Sequence, residues 1–301
     1  MSSSLPESEI ALQLPFRPRA RLLQLLGDEL IGSPRLAVFE LVKNAYDADA
    51  KSATVQLDLR NEESPKIIVV DDGEGMTLET IQNIWLVPAD DHRQKQREAL
   101  VRSAKFHRLP LGEKGLGRFA VHKLGNRISL VTRARDSKEC VVEIDWSEMI
   151  REPFLSDAPV TVRVRPPEVF LGEQTGTRIE IEELRQKYWN RREVRRLQRQ
   201  ITSICSPFEG PAEFSAELTA LGKEGWLQGI PDVQAILDRA IWKFTFKLDA
   251  ARFDWSYTFR KIPNLKLEGR ELSGTNDPLL LPPATEEDRK AKKVGSTQES
   301  G

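Results

Sequence analysis

The sequence predicts an α/β protein, and three observations carry that reading. Apolar residues recur at helical spacing in 18–30, 33–49 and 187–205. Strand patterns stand between these helices, at 53–59, 66–71, 127–132, 140–146, 160–164 and 177–181. Glycine-rich turns break the chain at 71–76, 112–117 and 176, beside those strands and helices.

Taken in order, 1–18 reads as a flexible arm. A helix over 18–30 turns Leu22, Leu23, Leu26 and Leu30 inward and is closed by Gly32. The next helix, 33–49, organises the chain. Ser33 is a good N-cap, and Pro34 suits the first helical position, where its missing N–H costs nothing. Ala37, Val38, Leu41, Val42 and Ala45 share its apolar face. Glu40, Asn44 and Asp47, with Lys43 beside them, line a polar stripe away from that face. Two carboxylates and an amide in one line suit the wall of a metal–phosphate site. Alone, such a stripe is also what any amphipathic helix shows to water.

Val55, Leu57 and Leu59 alternate with polar residues as in a half-buried strand, and 61–65 is turn chemistry. The 66–71 strand is apolar on both faces until Asp71, which opens the loop Asp71-Asp72-Gly73-Glu74-Gly75-Met76. Thr77 caps a short helix that carries Ile81, Ile84 and Trp85. Residues 87–111 lose all periodicity and hold His92, Arg93, Lys95, Arg97, Arg102, Lys105, His107 and Arg108. Composition makes this a solvated loop; its place between two glycine boxes makes it a candidate lid. Gly112-Glu113-Lys114-Gly115-Leu116-Gly117-Arg118 then runs into a helix at 119–124, which Gly125 ends.

Val194, Leu197, Ile201 and Ile204 form the apolar face of the 187–205 helix, opposite Arg191, Arg192, Arg195, Arg196 and Arg199. Residues 207–211 read as a domain boundary. Beyond them, 213–221 and 241–259 are β segments around a helix at 232–240, with Trp242, Phe244 and Phe246 alternating, then Phe253, Trp255, Tyr257 and Phe259. The domains expected are therefore 19–210, with its lid at 87–111, and a small second domain at 211–283. A disordered tail follows at 284–301.

Composition narrows the function. The formal net charge of −1 over 301 residues gives no global basic field, so nucleic acid is not favoured as a partner. Two cysteines argue against a disulfide scaffold, and three scattered histidines against a zinc centre. No run of about 18 apolar residues predicts a membrane span, and the polar first residues carry no signal core. The sequence is read as cytoplasmic.

The boxes supply nucleotide chemistry. A carboxylate at a strand mouth, such as Asp71, accepts a hydrogen bond from an exocyclic amine, and Gly73 and Gly75 let a base approach the backbone. Gly112, Gly115 and Gly117 precede a helix, where free N–H groups form an anion site. Lys114 and Arg118 reach a terminal phosphate from inside that loop, and Asn44 offers Mg²⁺ a neutral oxygen.

In this order and spacing the 33–49 helix, the 71–76 loop, the 112–118 loop and the turn into a strand at Gly176-Thr177-Arg178-Ile179-Glu180-Ile181 resemble the GHKL superfamily: DNA gyrase B, the heat-shock chaperone ATPases, histidine kinases, MutL and the MORC ATPases. The resemblance covers about 21–207. It implies a Bergerat-type two-layer sandwich: a mixed, largely antiparallel sheet with helices on one face. It also implies ATP and Mg²⁺ as cofactors, with Asp71, Gly73, Gly75, Met76 and Thr177 around the adenine. Asp47 supports that end or hydrogen-bonds locally, and Gly112, Lys114, Gly115, Leu116, Gly117 and Arg118 meet the phosphates, with a surface carboxylate as the other partner open to Arg118. Asn44 would hold the metal, and Glu40 would act as general base on the attacking water.

The spacing Glu40-x-x-x-Asn44-x-x-Asp47 is similar to the chaperone, MutL and MORC branch, whereas a lysine at 114 departs from the chaperone loop. That branch implies an ATPase whose lid closes over Mg-ATP, a nucleotide-dependent homodimer, a client or effector of unknown identity, and a transducer-like domain beginning at 211. A non-catalytic ATP switch is the alternative. So is a histidine-kinase-like domain acting in trans, since no histidine precedes His92 to serve as phosphoacceptor in cis.

Overall fold

The computed structural model describes residues 15, 17–22, 25, 31–87, 92–112, 120–158, 160–205, 214–230, 239–249, 252–262 and 267–276. The chain divides into two compact units, 1–230 and 231–301.

In the first unit, helix α1 (Pro34–Asp47) begins where the sequence predicts. Ser33 Oγ accepts the Leu36 N–H at 3.3 Å, and Pro34 follows the cap. Strands β1 (Ser52–Asp58) and β2 (Lys66–Asp71) come next. Thr77 Oγ1 accepts the Thr80 N–H and starts the turn Leu78–Thr80, which continues into a π-turn at Ile81–Trp85. A short helix, His92–Glu98, lies in the 87–111 stretch. Helix α2 (Ala120–Leu124) leads into β3 (Gly125–Arg133), followed by β4 (Glu139–Asp145), β5 (Thr161–Arg165) and β6 (Gly176–Leu184). Helix α3 spans Arg191–Thr202. It starts later than the periodicity suggests because Asn190 and Glu193 form a reciprocal capping box there.

These strands and β7 (Ser215–Leu221) form one seven-stranded sheet in the order β5-β4-β3-β6-β2-β1-β7. Every pairing is antiparallel except β1–β7. Register sets one apolar face: Val55 stands opposite Val69, Val69 opposite Ile179, Ile179 opposite Leu130, and Leu130 opposite Val142. That row and the buried faces of α1, α2 and α3 make a single core. The opposite face is mixed: Val131, Val141 and Phe170 form a small buried cluster on it, and charged residues occupy the neighbouring strands. There Lys66 bridges Glu180 and Glu182, and Arg178 pairs with Glu180.

Strand β7 places Ala216, Leu218 and Ala220 beside Ala53, Val55 and Leu57, extending the apolar row by one strand. The units therefore divide after Ile230, whereas the sequence suggests a break at 210/211. The proline-rich 207–211 stretch reads as a boundary in sequence, but the buried alternation of β7 ties the following strand to the first unit. Leu22 differs from expectation as well: it is 41% exposed and lies on no buried face, while Leu23, Leu26 and Leu30 lie outside the described residues. The 284–301 tail, most of the 1–18 arm and most of the helix expected at 232–240 also lie outside them.

The second unit holds a three-stranded antiparallel sheet in the order β10-β9-β8, formed by β8 (Trp242–Asp249), β9 (Arg252–Phe259) and β10 (Arg270–Thr275). The sequence reading contains no counterpart of β10.

Candidate functional site

The apolar row of the main sheet ends in polar residues. Asp71 faces Thr177 across β2–β6, and Thr177 faces Thr132 across β6–β3. Asp71 Oδ1 accepts the N–H of Gly73 at 3.0 Å and of Thr177 at 3.2 Å. Its Oδ2 has no hydrogen-bond donor among the described residues. Burial pushes this carboxyl up to about 7; the two amides pull the other way, and Asp72 adds to the rise. An open acceptor at the end of a buried row is chemically suited to a donor such as an exocyclic amine.

Thr132 ties the site together and is absent from the sequence reading. Its Oγ1 accepts the Met76 N–H at 2.9 Å, donates to Gly176 O at 2.9 Å and lies 3.0 Å from Thr177 Oγ1. Thr175 Oγ1 donates to Gly73 O at 2.7 Å, so the approach to β6 also holds the glycine loop. Only its place at the end of the Ile128–Leu130 alternation could have singled Thr132 out.

The two glycines of the loop are required by close approach. Gly75 has φ 65°, and a Cβ there would lie 2.0 Å from Arg133 O. A Cβ at Gly73 would lie 2.6 Å from Ala48 O, where the chain leaves α1. The loop is thus pressed against the end of α1 on one side and against β3 on the other. Asp72 is a structural residue: its carboxylate accepts the Lys51 and Ser52 N–H groups, both at 2.7 Å.

On α1, Glu40 is half-buried and its two oxygens take Lys43 Nζ at 2.9 and 3.0 Å. Asn44 is exposed, and its side-chain amide has no hydrogen-bond partner among the described residues. Asp47, by contrast, is buried and accepts the N–H groups of Leu111 at 2.7 Å and Gly112 at 2.9 Å. It therefore anchors the entry of the second glycine loop. Lys114, Gly115, Leu116, Gly117 and Arg118 lie outside the described residues.

The second half of the 87–111 stretch is tied to the end of α1. Asp49, in a left-handed conformation with φ 58°, accepts Ser103 Oγ and Lys105 N–H at 2.7 Å, and Phe106 N–H at 3.3 Å. Arg108 is buried. Its guanidinium donates to Ala50 O at 2.5 Å and lies over the rings of Phe106, Tyr46 and Phe214. This arginine supports the fold, although composition alone groups it with the phosphate-seeking basic residues of a lid. A cleft of about 180 Å³ opens under this strap, lined among others by Asp47, Glu74, Gln96, Arg102 and Pro110.

The described residues fit ATP and Mg²⁺. The exposed amide of Asn44 is a neutral oxygen donor of the kind Mg²⁺ accepts, and the carboxyl oxygen of Asp71 without a donor among the described residues is an acceptor of the kind an exocyclic amine needs. No group of three or more His, Cys, Asp or Glu side chains among the described residues forms a metal cage. Mg²⁺ does not need one, since it is commonly held by one or two protein oxygens plus phosphates and water.

Residues 32–166 match the family described as histidine kinase-, DNA gyrase B-, and HSP90-like ATPase. That stretch belongs to the GHKL superfamily, and the mixed, mostly antiparallel sheet with its helices agrees with it. The match includes α1, the Asp71 box and the 112–117 loop, and it ends before Gly176-Thr177. For Thr177 the support is geometric, its pairing with Asp71. No curated protein matches the chain. Among the described residues no helix is long and apolar enough to cross a membrane.

Proposed function

We propose that the chain is an ATPase module: it binds Mg-ATP, orders its lid over the nucleotide, hydrolyses it, and couples nucleotide state to dimerisation or to a partner. ATP binding follows from the superfamily. The finer reading rests above all on Asp71, whose Oδ1 is held by two amides while Oδ2 meets no donor among the described residues. In this reading Oδ2 accepts the adenine amine, and Met76 and Thr177 flank the base. Asn44 holds Mg²⁺, which neutralises charge on the phosphates. The glycine loop from Gly112 onward, with Lys114 and Arg118, receives the terminal phosphate. Glu40 takes a proton from water as its oxygen bonds to the terminal phosphorus; the bond to the bridging oxygen breaks, leaving ADP and phosphate.

One observation favours a second reading, the non-hydrolysing switch. Both Glu40 oxygens are engaged by Lys43, so Glu40 must release one of them to accept a proton. Phosphate release by the purified chain separates the two. Steady Mg²⁺-dependent turnover that Glu40→Ala abolishes supports the ATPase. Tight ATP binding with no turnover, in the presence of partners as well, supports the switch.

A further inference from the structure

The three residues that end the apolar row of the main sheet differ in how much hydrogen-bonding freedom they keep. Register sets Asp71 opposite Thr177 and Thr177 opposite Thr132. All three lie two positions along their strands from Val69, Ile179 and Leu130, so their side chains share the face of the core row. Directly paired side chains are close enough to act on one another. Thr132 is fully buried, whereas Asp71 and Thr177 are half-buried. The inner hydroxyl is sealed from a ligand and the two outer groups are not.

A hydroxyl has one proton and two acceptor positions. At Thr132 all three are used. Its proton goes to Gly176 O at 2.9 Å, and one acceptor position takes the Met76 N–H at 2.9 Å. Its remaining neighbour is Thr177 Oγ1 at 3.0 Å. With its own proton committed, Thr132 meets Thr177 as an acceptor, so the proton of that bond belongs to Thr177. Thr177 Oγ1 then keeps acceptor positions alone. Beside it, Asp71 Oδ2 meets no donor among the described residues. This end of the sheet therefore offers a ligand two neighbouring acceptors and no hydroxyl proton.

We propose that Thr132 is a positioning residue that sets base specificity: by taking the Thr177 proton it keeps Thr177 an acceptor, so that Thr177 Oγ1 and Asp71 Oδ2 together select an exocyclic amine and reject a carbonyl. The proposal rests on the reading of Asp71 as the base acceptor. Adenine satisfies both acceptors, one through each N–H of its amine. Hypoxanthine carries a carbonyl in place of that amine and sets its oxygen against two groups that cannot donate. A site built to hydrogen-bond one group rejects the analogue lacking it, because its own polar groups are left unpaired. Thr132 never touches the base; its buried hydroxyl acts through Thr177.

Calorimetry of the full chain with Mg-ATP and with Mg-ITP, whose base is hypoxanthine, tests this at pH 8. There the Asp71 carboxyl, raised to about 7, is mostly ionised and does not donate. Wild type should bind ATP more tightly than ITP. Thr132→Val frees the Thr177 proton to meet a carbonyl, and the ratio of ATP to ITP affinity should fall about tenfold. Thr132→Ser keeps the hydroxyl and should hold the ratio within about twofold of wild type. A threonine that merely supports the loop would weaken both nucleotides alike and leave the ratio unchanged. Thr177→Val should lower the ratio by itself, and adding Thr132→Val should lower it no further. An unchanged ratio in Thr132→Val, a loss that Thr132→Ser shares, or additive effects of the two valines overturns the proposal and leaves the reading of Asp71 standing. If Thr132→Val does not fold, an unchanged ratio in Thr177→Val overturns it equally. ATP binding that Asp71→Asn does not weaken overturns both.

Discussion

The Thr177 amide donates to Asp71 Oδ1 at 3.2 Å across the β2–β6 ladder, so the strand bearing the Gly-Thr pair fixes the carboxyl that ends its neighbour. Thr132 holds both ends of this arrangement through Met76 and Gly176. Thr132→Val keeps the shape but leaves the Met76 N–H without its acceptor. The expected loss of stability is about 1–3 kcal/mol. Urea unfolding measures it, and an unchanged midpoint would contradict the role given to this hydroxyl.

A second prediction concerns pH. Burial raises the Asp71 carboxyl to about 7 from its ordinary 3.8. Between those values the folded chain holds a proton that the unfolded chain has released. Asp71 therefore lowers stability progressively as pH rises from 3.8 to about 7, with no further effect above that. Nucleotide acts in the opposite sense, because an amine donor favours the carboxylate. ATP affinity should rise as pH passes through 7, and binding should release protons to the buffer. Calorimetry of Mg-ATP in buffers of different ionisation enthalpy measures that release. Asp71→Asn should remove the part that belongs to this site; equal release from both proteins would rule it out.

The row was legible in the sequence, and so was Asp71 at the mouth of its strand; Thr132, which joins Asp71's loop to Gly176, was not. Alternation at 53–59 and the apolar run at 66–71 give β1 and β2 nearly to the residue, since both are core strands with a buried face. The Ser33-Pro34 start of α1 was equally plain, because capping is local chemistry. Thr132 and Asp49 were not visible. Thr132 acts through register with β6, and Asp49 through a left-handed turn that meets a segment more than 50 residues away. Neither property is local. Arg108 shows the converse: composition places it with the solvated basic residues, yet three aromatic rings and the Ala50 carbonyl bury it.

Those anchors divide the proposed lid. Without nucleotide, the amides of Lys105, Leu111 and Gly112 should exchange slowly, because Asp49 and Asp47 accept them. Nucleotide-dependent protection should concentrate before Ser103, in the His92–Glu98 helix and the turn after it. Asp49→Ala should release 103–106 and raise exchange there in both states. Hydrogen exchange that is uniformly fast across 92–112 in the free protein would contradict the anchoring.

Glu40 and Asn44 should separate by phenotype. Glu40→Ala should leave Mg-ATP affinity near wild type while turnover falls roughly 10²–10⁴-fold, the usual worth of a positioned base. Asn44→Ala should lose Mg²⁺-dependent binding and turnover together, because its exposed amide is assigned to the metal. Lys43→Met should alter turnover more than binding, since Lys43 touches only the Glu40 carboxylate in this group. Phosphate release alongside calorimetry gives both readouts. A Glu40→Ala protein as fast as wild type would remove Glu40 from the chemistry.

The measurement closest to the central claim is calorimetric titration of ATP, with Mg²⁺ present, into wild type and Asp71→Asn. The open Oδ2 of Asp71 is the assigned adenine acceptor, and a charge-assisted hydrogen bond of this kind is worth about 1.5–3 kcal/mol. Wild type should bind ATP, and Asp71→Asn should bind it about ten- to a hundred-fold more weakly while keeping its unfolding midpoint at or above wild type at pH 8. Equal ATP affinity in two equally folded proteins would contradict the assignment of this end of the sheet as the nucleotide site.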